Sequence, residues 1–264
     1  MKCYDFEFDG RTLSSFGFII CKFDSGGIET VSNGSRITFN TVPTMKGEKH
    51  ELTSVAYDEC LKANLQICKN NCDTDNLEVS LDESRKIMRW LNRKGFHKLK
   101  LIDDDYINVF FEASFNINKI ECDGKIIGFE LEIITNRPHA LQEPVSIQLK
   151  NKVQDGKHRF YSESDEEGYL YPDMEIAIEE DGDFELFSVM ENRTMRIANC
   201  KSGEIIRVKY PMIESSLLDH KIQNDFNWKF FRIATTLREK ANDVTISIPC
   251  TIKMVYSPIV KVSI

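Results

Sequence analysis

Apolar and polar residues alternate with a period of two along most of this chain, the spacing of a strand with one buried face. The clearest case is Ile107, Val109, Phe111, Ala113, Phe115 and Ile117, interleaved with residues that include Asn108, Glu112 and Ser114. Upstream, Leu99 and Leu101 lead into Asp103-Asp104-Asp105, whose short carboxylates suit a hydrated hairpin tip. Downstream, Asp123-Gly124 tolerates the positive φ of a tight hairpin, and Ile127, Phe129, Leu131 and Ile133 then share one face. Three consecutive antiparallel strands are predicted. An earlier pair is predicted from Ile37, Phe39 and Thr41 and from Leu61, Ala63, Leu65 and Ile67, with a long polar loop from Pro43 to Asp58 between them.

One segment changes period. Ser80 is followed three positions on by Glu83, the spacing of a capping box. Ser84, Ile87, Met88 and Leu91 fall on one stripe of a helix running to about Asn92, with Gly95 available to close it. Met88 and Trp90 read as packing groups rather than a cofactor site.

At Asn136-Arg137-Pro138-His139 the alternation stops, since proline donates no ladder hydrogen bond and restricts the residue before it. The domain boundary is placed there, giving 1–138 and 139–264. A second series follows: Met174, Ile176 and Ile178; Phe184 and Leu186; Ile206, Val208 and Tyr210; Phe226, Trp228 and Phe230. The last run is Val244, Ile246, Ile248, Cys250, Ile252, Met254 and Tyr256, preceded by Asn242-Asp243 as turn residues. The fold class is mainly β with one α-helix: an α+β N-terminal domain and a C-terminal β-sandwich.

Composition narrows the function. The 264 residues are 41% hydrophobic, enough to build a core in each of two domains. A formal charge of -8, from 34 basic and 42 acidic residues, gives no global attraction to phosphate backbones or anionic lipid, so direct nucleic-acid binding is not expected. No apolar run approaches the roughly 20 residues that cross a bilayer, and the opening Met-Lys-Cys-Tyr-Asp-Phe-Glu-Phe has acids where an export signal is apolar. Neither membrane insertion nor export is expected, and the eight cysteines read as reduced, buried small hydrophobes.

Motifs for chemistry are few. Cys68-x3-Cys72 lies near zinc-ligand spacing but has no second Cys/His pair. The Asp103–Asp105 run lacks the glycine and distal glutamate of a calcium loop. Neither a nucleophile elbow nor a phosphate-binding loop occurs, and the five histidines are scattered. No metal, cofactor or catalytic residue is therefore nominated. Two acidic clusters, Glu163, Asp165, Glu166 and Glu167, then Glu179, Glu180, Asp181 and Asp183, read as solvated loops at strand ends.

Several stretches in order carry a resemblance. They are Tyr4 to Gly10 with Ser15-Phe16-Gly17; Phe39 through Gly47 and Tyr57; Arg89-Trp90-Leu91 with Phe96 to Leu99 and the Asp103–Asp105 turn; Asn136-Arg137-Pro138; and Asn227 to Phe230 with Tyr256-Ser257-Pro258. Together they resemble the distal tail (Dit) proteins of long-tailed, siphovirus-type bacteriophages across nearly the whole chain. The resemblance implies a non-enzymatic hexameric ring at the virion tail tip, built by N-terminal domains, with galectin-like or carbohydrate-module-like sandwiches outside. It also implies partners: further copies of the chain, the tail tube protein, a tail-associated lysin or fibre protein, and receptor-binding proteins. Thr44, Lys46, Lys49 and His50 of the long loop, with Asp103, Asp104 and Asp105, are the candidate ring or partner contacts. The alternative is a carbohydrate-binding sandwich using Trp228, or Tyr169 and Tyr171, as stacking platforms, although the parity of Trp228 with Phe226 and Phe230 predicts that it is buried.

Overall fold

The computed structural model describes residues 3–23, 36–44, 50–70, 77–236 and 240–262. The chain forms two compact units, one of Met1–Leu141 with Lys261–Ile264 and one of Gln142–Val260.

In the first unit the strands are β1 (Asp5–Phe8), β2 (Arg11–Thr12), β3 (Phe18–Cys21), β4 (Ile37–Pro43), β5 (His50–Tyr57), β6 (Lys62–Lys69), β7 (His97–Ile102), β8 (Val109–Cys122) and β9 (Lys125–Thr135). The main sheet runs β2-β1-β7-β8-β9-β6-β3, with every neighbouring pair antiparallel. Its register sets Leu99 opposite Phe111, Phe115 opposite Ile133, and Ile67 opposite Phe129. One face therefore becomes a continuous buried layer that also takes in Phe6, Phe8 and Leu131. Asp123 and Gly124, at φ 50° and 72°, make the predicted two-residue turn joining Cys122 to its partner Lys125. Ile107, placed on the buried parity from sequence, lies ahead of β8 and is exposed.

Helix α1 (Leu81–Leu91) begins at the predicted cap. The Ser80 hydroxyl accepts the Glu83 amide at 3.3 Å, and the Glu83 carboxylate accepts the Ser80 amide at 2.8 Å. Ile87, Trp90 and Leu91 are buried, while Met88 is only half-buried. The helix ends on Asn92, and Gly95, at φ 90°, turns the following segment toward β7 rather than closing the helix.

Two expectations for this unit fail. The polar segment 43–58 is not one long loop, because β5 fills 50–57 and pairs antiparallel with β4 as a separate two-stranded sheet. Nor does β4 pair with β6, which lies between β9 and β3. In β5 the apolar residues Leu52 and Val55 are separated by Thr53 and Ser54 and preceded by His50 and Glu51, which hid that strand.

In the second unit, after β10 (Ala140–Gln142) at the junction, come β11 (Val145–Asn151), β12 (Gly156–Tyr161), β13 (Gly168–Leu170), β14 (Asp173–Ile178), β15 (Gly182–Ser188), β16 (Arg193–Cys200), β17 (Ile205–Lys209) and β18 (Met212–Ser215). The one-turn α2 (Ile222–Asp225), β19 (Ile233–Thr235), β20 (Ala241–Ile246), β21 (Cys250–Tyr256) and β22 (Ile259–Val260) follow. A five-stranded sheet, β11-β21-β14-β17-β18, and a four-stranded sheet, β12-β20-β15-β16, share one core, with Ile176, Ile206 and Ile252 from the first meeting Phe184, Leu186 and Ile246 from the second. This is the predicted sandwich.

Three details differ from the alternating pattern. Residues 226–230 form no strand: Phe226 bridges Ile197 and is buried, as is Phe230, but Trp228 stands 55% exposed between them. Tyr210 is likewise exposed. Asn242 and Asp243 lie inside β20, not in a turn. The Asn242 amide is fully buried, accepting the Ala234 amide and donating to the Ala234 carbonyl, both at 2.9 Å. Asp243 reaches outward to take two hydrogen bonds of 2.6 Å from Arg159.

Candidate assembly surface

The β4–β5 hairpin has an unusual surface for a small sheet. Its register sets Phe39 directly opposite Val55 and Ile37 opposite Tyr57, so these four share a face, and Leu52 joins them beyond a bulge at Asn40/Thr41. Phe39 is 61% exposed and Val55 50%, and Ile37 and Leu52 are exposed too. The opposite face is mostly polar, with Thr38, Asn40, Ser54 and Glu51 beside Ala56 and an exposed Val42, and Asn40 donates to the Ser54 hydroxyl at 2.9 Å. Each strand also has an outer edge with no ladder partner among the described residues. An apolar face and two open edges together are the features that draw another chain onto a sheet.

At the base, Asp58 holds the hairpin shut by accepting the Thr38 hydroxyl and pairing with Arg36 at 3.7 Å. Tyr57 packs edge-on against the His139 ring at 5.6 Å. Both groups sit where the strands leave the unit, so the exposed apolar residues are carried on an arm fixed at its root.

The candidate contacts divide between two sheets. Thr44 follows the last residue of β4 and His50 opens β5, opposite Pro43, with its ring 3.4 Å from the Thr41 hydroxyl. Lys46 and Lys49 lie outside the described residues. Asp103, Asp104 and Asp105 belong to the main sheet, in the connection from β7 to β8. There the Asp103 carboxylate accepts the Asp105 amide at 3.0 Å and starts a single 3₁₀ turn, Asp104–Tyr106. Sequence reasoning missed Leu52 and Val55, whose signal was a short apolar alternation diluted by His50, Glu51, Thr53 and Ser54.

The second acidic cluster lies where expected, exposed at the turn from β14 to β15, and its carboxylates are also engaged by neighbouring groups. The Ser202 amide and the Lys201 ammonium hold the Asp181 carboxyl below its ordinary range, and Arg196 with the Asn199 amide does the same for Asp183. Glu179 accepts the Thr251 hydroxyl at 3.0 Å, so the cluster ties the β14–β15 turn to its neighbours. Among the described residues, Cys21, Cys60, Cys68, Cys122, Cys200 and Cys250 are free thiols, and no group of three or more His, Cys, Asp or Glu side chains is placed to hold a metal. Cys72 lies outside those residues. Cys200 and Cys250 are buried as expected, whereas Cys122 is exposed and Cys3, Cys21, Cys60 and Cys68 are half-buried.

The fold class is therefore a two-unit, mainly β protein, with an exposed two-stranded hairpin on one unit and a sandwich for the other. Residues 1–137 match the family described as phage tail protein N-terminal domain, and residues 139–256 match the one described as phage tail C-terminal domain. The chain belongs to this phage tail protein family. No curated protein matches it at a significant level. Among solved structures it is similar to the crystal structure of the SPP1 Dit (gp 19.1) protein, described as a paradigm of the hub adsorption apparatus in Gram-positive infecting phages. The two share 10% identity and superpose with a TM-score of 0.66, over 97% of this chain and 99% of that one. The fold is thus that of a distal tail protein.

Proposed function

We propose that the chain is the subunit of a closed ring, hexameric as the resemblance implies, that sits as a non-enzymatic hub where the tail tube meets the host-adsorption apparatus. In this reading the N-terminal domain, 1–138, builds the ring, and the sandwich of 139–264 lies outside it. One ring face meets the tail tube protein and the other a tail-associated lysin or fibre protein, while the outer sandwiches hold receptor-binding proteins. The observation that carries the proposal is the β4–β5 arm, with Ile37, Phe39, Leu52 and Val55 exposed on one face. A ring closes only if each subunit offers two unlike, complementary patches, and a projecting apolar arm is one half of such a pair.

The test replaces Phe39 by Lys and Val55 by Glu together. These positions face each other across the hairpin, so the new ion pair keeps the local register while the face turns polar. Covering the exposed part of the two side chains, 61% of Phe39 and 50% of Val55, would contribute about 2 kcal/mol per interface, or roughly thirtyfold in affinity. Native mass spectrometry and negative-stain imaging are expected to show a hollow six-fold ring for the wild type and a folded 30.5 kDa monomer for the variant. A wild type that stays monomeric at high concentration, or a variant with unchanged ring mass, rejects the proposal.

A further inference from the structure

Seven non-glycine residues among those described adopt a left-handed backbone with positive φ, and six of them are Asn or Asp. Those two types tolerate the conformation because a short polar side chain bonds locally. The seventh is Trp228, at φ 57°. A bulky residue held there marks a place where the backbone has been set to present a side chain rather than to relax.

The holding is visible. Phe226 and Phe230 plunge into the sandwich core on either side, 5.5 and 6.3 Å from the indole. Between them the Asn227 amide N–H donates to the Arg196 carbonyl at 3.1 Å, its side chain donates to the Thr194 carbonyl at 2.9 Å, and the same side chain accepts the Lys229 amide at 3.1 Å. The loop is thereby pinned along the open edge of β16, and the indole projects from it into solvent.

Immediately beside Trp228, its neighbours Asn227 and Lys229 line a cavity of about 400 Å³, within the range of small-ligand sites. Its walls are polar. Arg193, Arg196, Lys229 and Arg232 line it together with Glu185 and Glu191. Arg196 is committed to Asp183 at 2.7 Å and Glu185 at 3.3 Å, and Arg232 to Glu191 at 3.1 Å. Arg193 donates to the Phe230 carbonyl at 3.4 Å, and neither it nor Lys229 has an acidic partner among the described residues. The four cations outnumber the three carboxylates, Asp183, Glu185 and Glu191, by one, which leaves a net positive charge at the site.

Aromatic surface continues away from the cavity. Arg232 lies 3.7 Å over the Tyr169 ring, Tyr171 stacks on Tyr210 at 4.1 Å, and Tyr210 meets Phe230 at 5.2 Å. Tyr169, Tyr210 and Trp228 are each more than half exposed.

From this arrangement we propose a saccharide-binding site on the second unit, in which the Trp228 face takes the C–H face of a sugar ring and the neighbouring cavity takes its hydroxyls and an anionic substituent. A pyranose has the two surfaces the site requires, a flat apolar side for stacking and an equatorial fringe of hydroxyls for amide, guanidinium and carboxylate partners. The net positive charge, with Arg193 and Lys229 outside the ion pairs of the described residues, selects a carboxylate- or phosphate-bearing sugar over a neutral one. The tyrosine strip extends the platform to adjoining sugar units. This inference is independent of ring assembly, since every residue in it belongs to the second unit.

The test applies the full-length chain to an array of neutral, uronate-bearing and phosphorylated oligosaccharides, with titration of each retained glycan. Retention of anionic members is expected. Trp228→Gly, which keeps the left-handed backbone without strain, is expected to weaken binding at least tenfold, and Lys229→Ala at least threefold, with melting curves unchanged. Should Trp228→Gly lower the melting temperature, the exposed Lys229→Ala still decides. The proposal is overturned if no glycan is retained, if both variants bind as the wild type does, or if inorganic phosphate alone binds as tightly as the best glycan.

Discussion

Trp90 is the side chain whose removal tests the packing logic of the first unit most directly. It is 6% exposed on the inner face of α1, with its ring 4.4 Å from Phe16 at an interplanar angle of 19° and 5.6 Å from Phe6 at 4°. Its indole N–H donates to the Phe8 carbonyl at 3.0 Å, joining the helix to β1. Trp90→Ala removes the ring and leaves a cavity, at a cost of about 4 kcal/mol. Trp90→Phe keeps a stacked ring but removes the indole donor from the Phe8 carbonyl, at about 1.5 kcal/mol. Against a total of roughly 5–15 kcal/mol for a domain, the first change removes a large share and the second a modest one. The chain has two tryptophans, one in each unit, which makes the assay self-reporting. In Trp90→Ala the remaining fluorescence comes from Trp228, so its urea midpoint should match the wild type's second transition while circular dichroism shows an early loss of the first unit. For Trp90→Phe the early shift should be about a third as large. Equal costs for the two variants, or a cost below about 1.5 kcal/mol for Trp90→Ala, would refute the reasoning.

Two further outcomes follow from burial in the second unit and exposure in the first. Burial pushes the Cys200 and Cys250 thiols up to about 12, whereas Cys122 is exposed, so alkylation of the folded protein at pH 8 should label Cys122 and spare the other two until denaturant is added; peptide mapping that finds Cys200 labelled as fast as Cys122 contradicts the fold. Glu204 is fully buried and accepts the Lys201 amide at 3.0 Å, the Ser215 hydroxyl, and a His220 ring contact of 2.6 Å, so Glu204→Ala should destabilise the second unit by about 3 kcal/mol, read by Trp228 fluorescence, with no shift in the first transition.

The parts of this fold legible in the sequence are those where local chemistry and burial agree. Ser80 and Glu83 are three residues apart, so their reciprocal cap needs no distant partner, and it forms as the spacing predicts. The alternation of Phe111, Ala113 and Phe115 coincides with a face covered by α1, and the Asp123-Gly124 turn pairs Cys122 with Lys125 before a bulge at Ile120/Glu121 shifts the register. What escaped the sequence is where the two diverge. Phe39 and Val55 alternate as strand residues do, but nothing in the described chain covers them; a pattern records that a side chain avoids water without saying whether its cover is intramolecular. Trp228 misleads in the opposite sense, because its parity with Phe226 and Phe230 presumes an extended backbone, and one left-handed residue turns the middle ring outward while its neighbours stay in the core. Asn242 reads as a turn because its amide can bond to backbone, and it does so, but to Ala234 eight residues back and from inside a strand. Both proposals therefore arise where pattern and burial part company: an apolar face without cover on the arm, and an aromatic ring held out of its core.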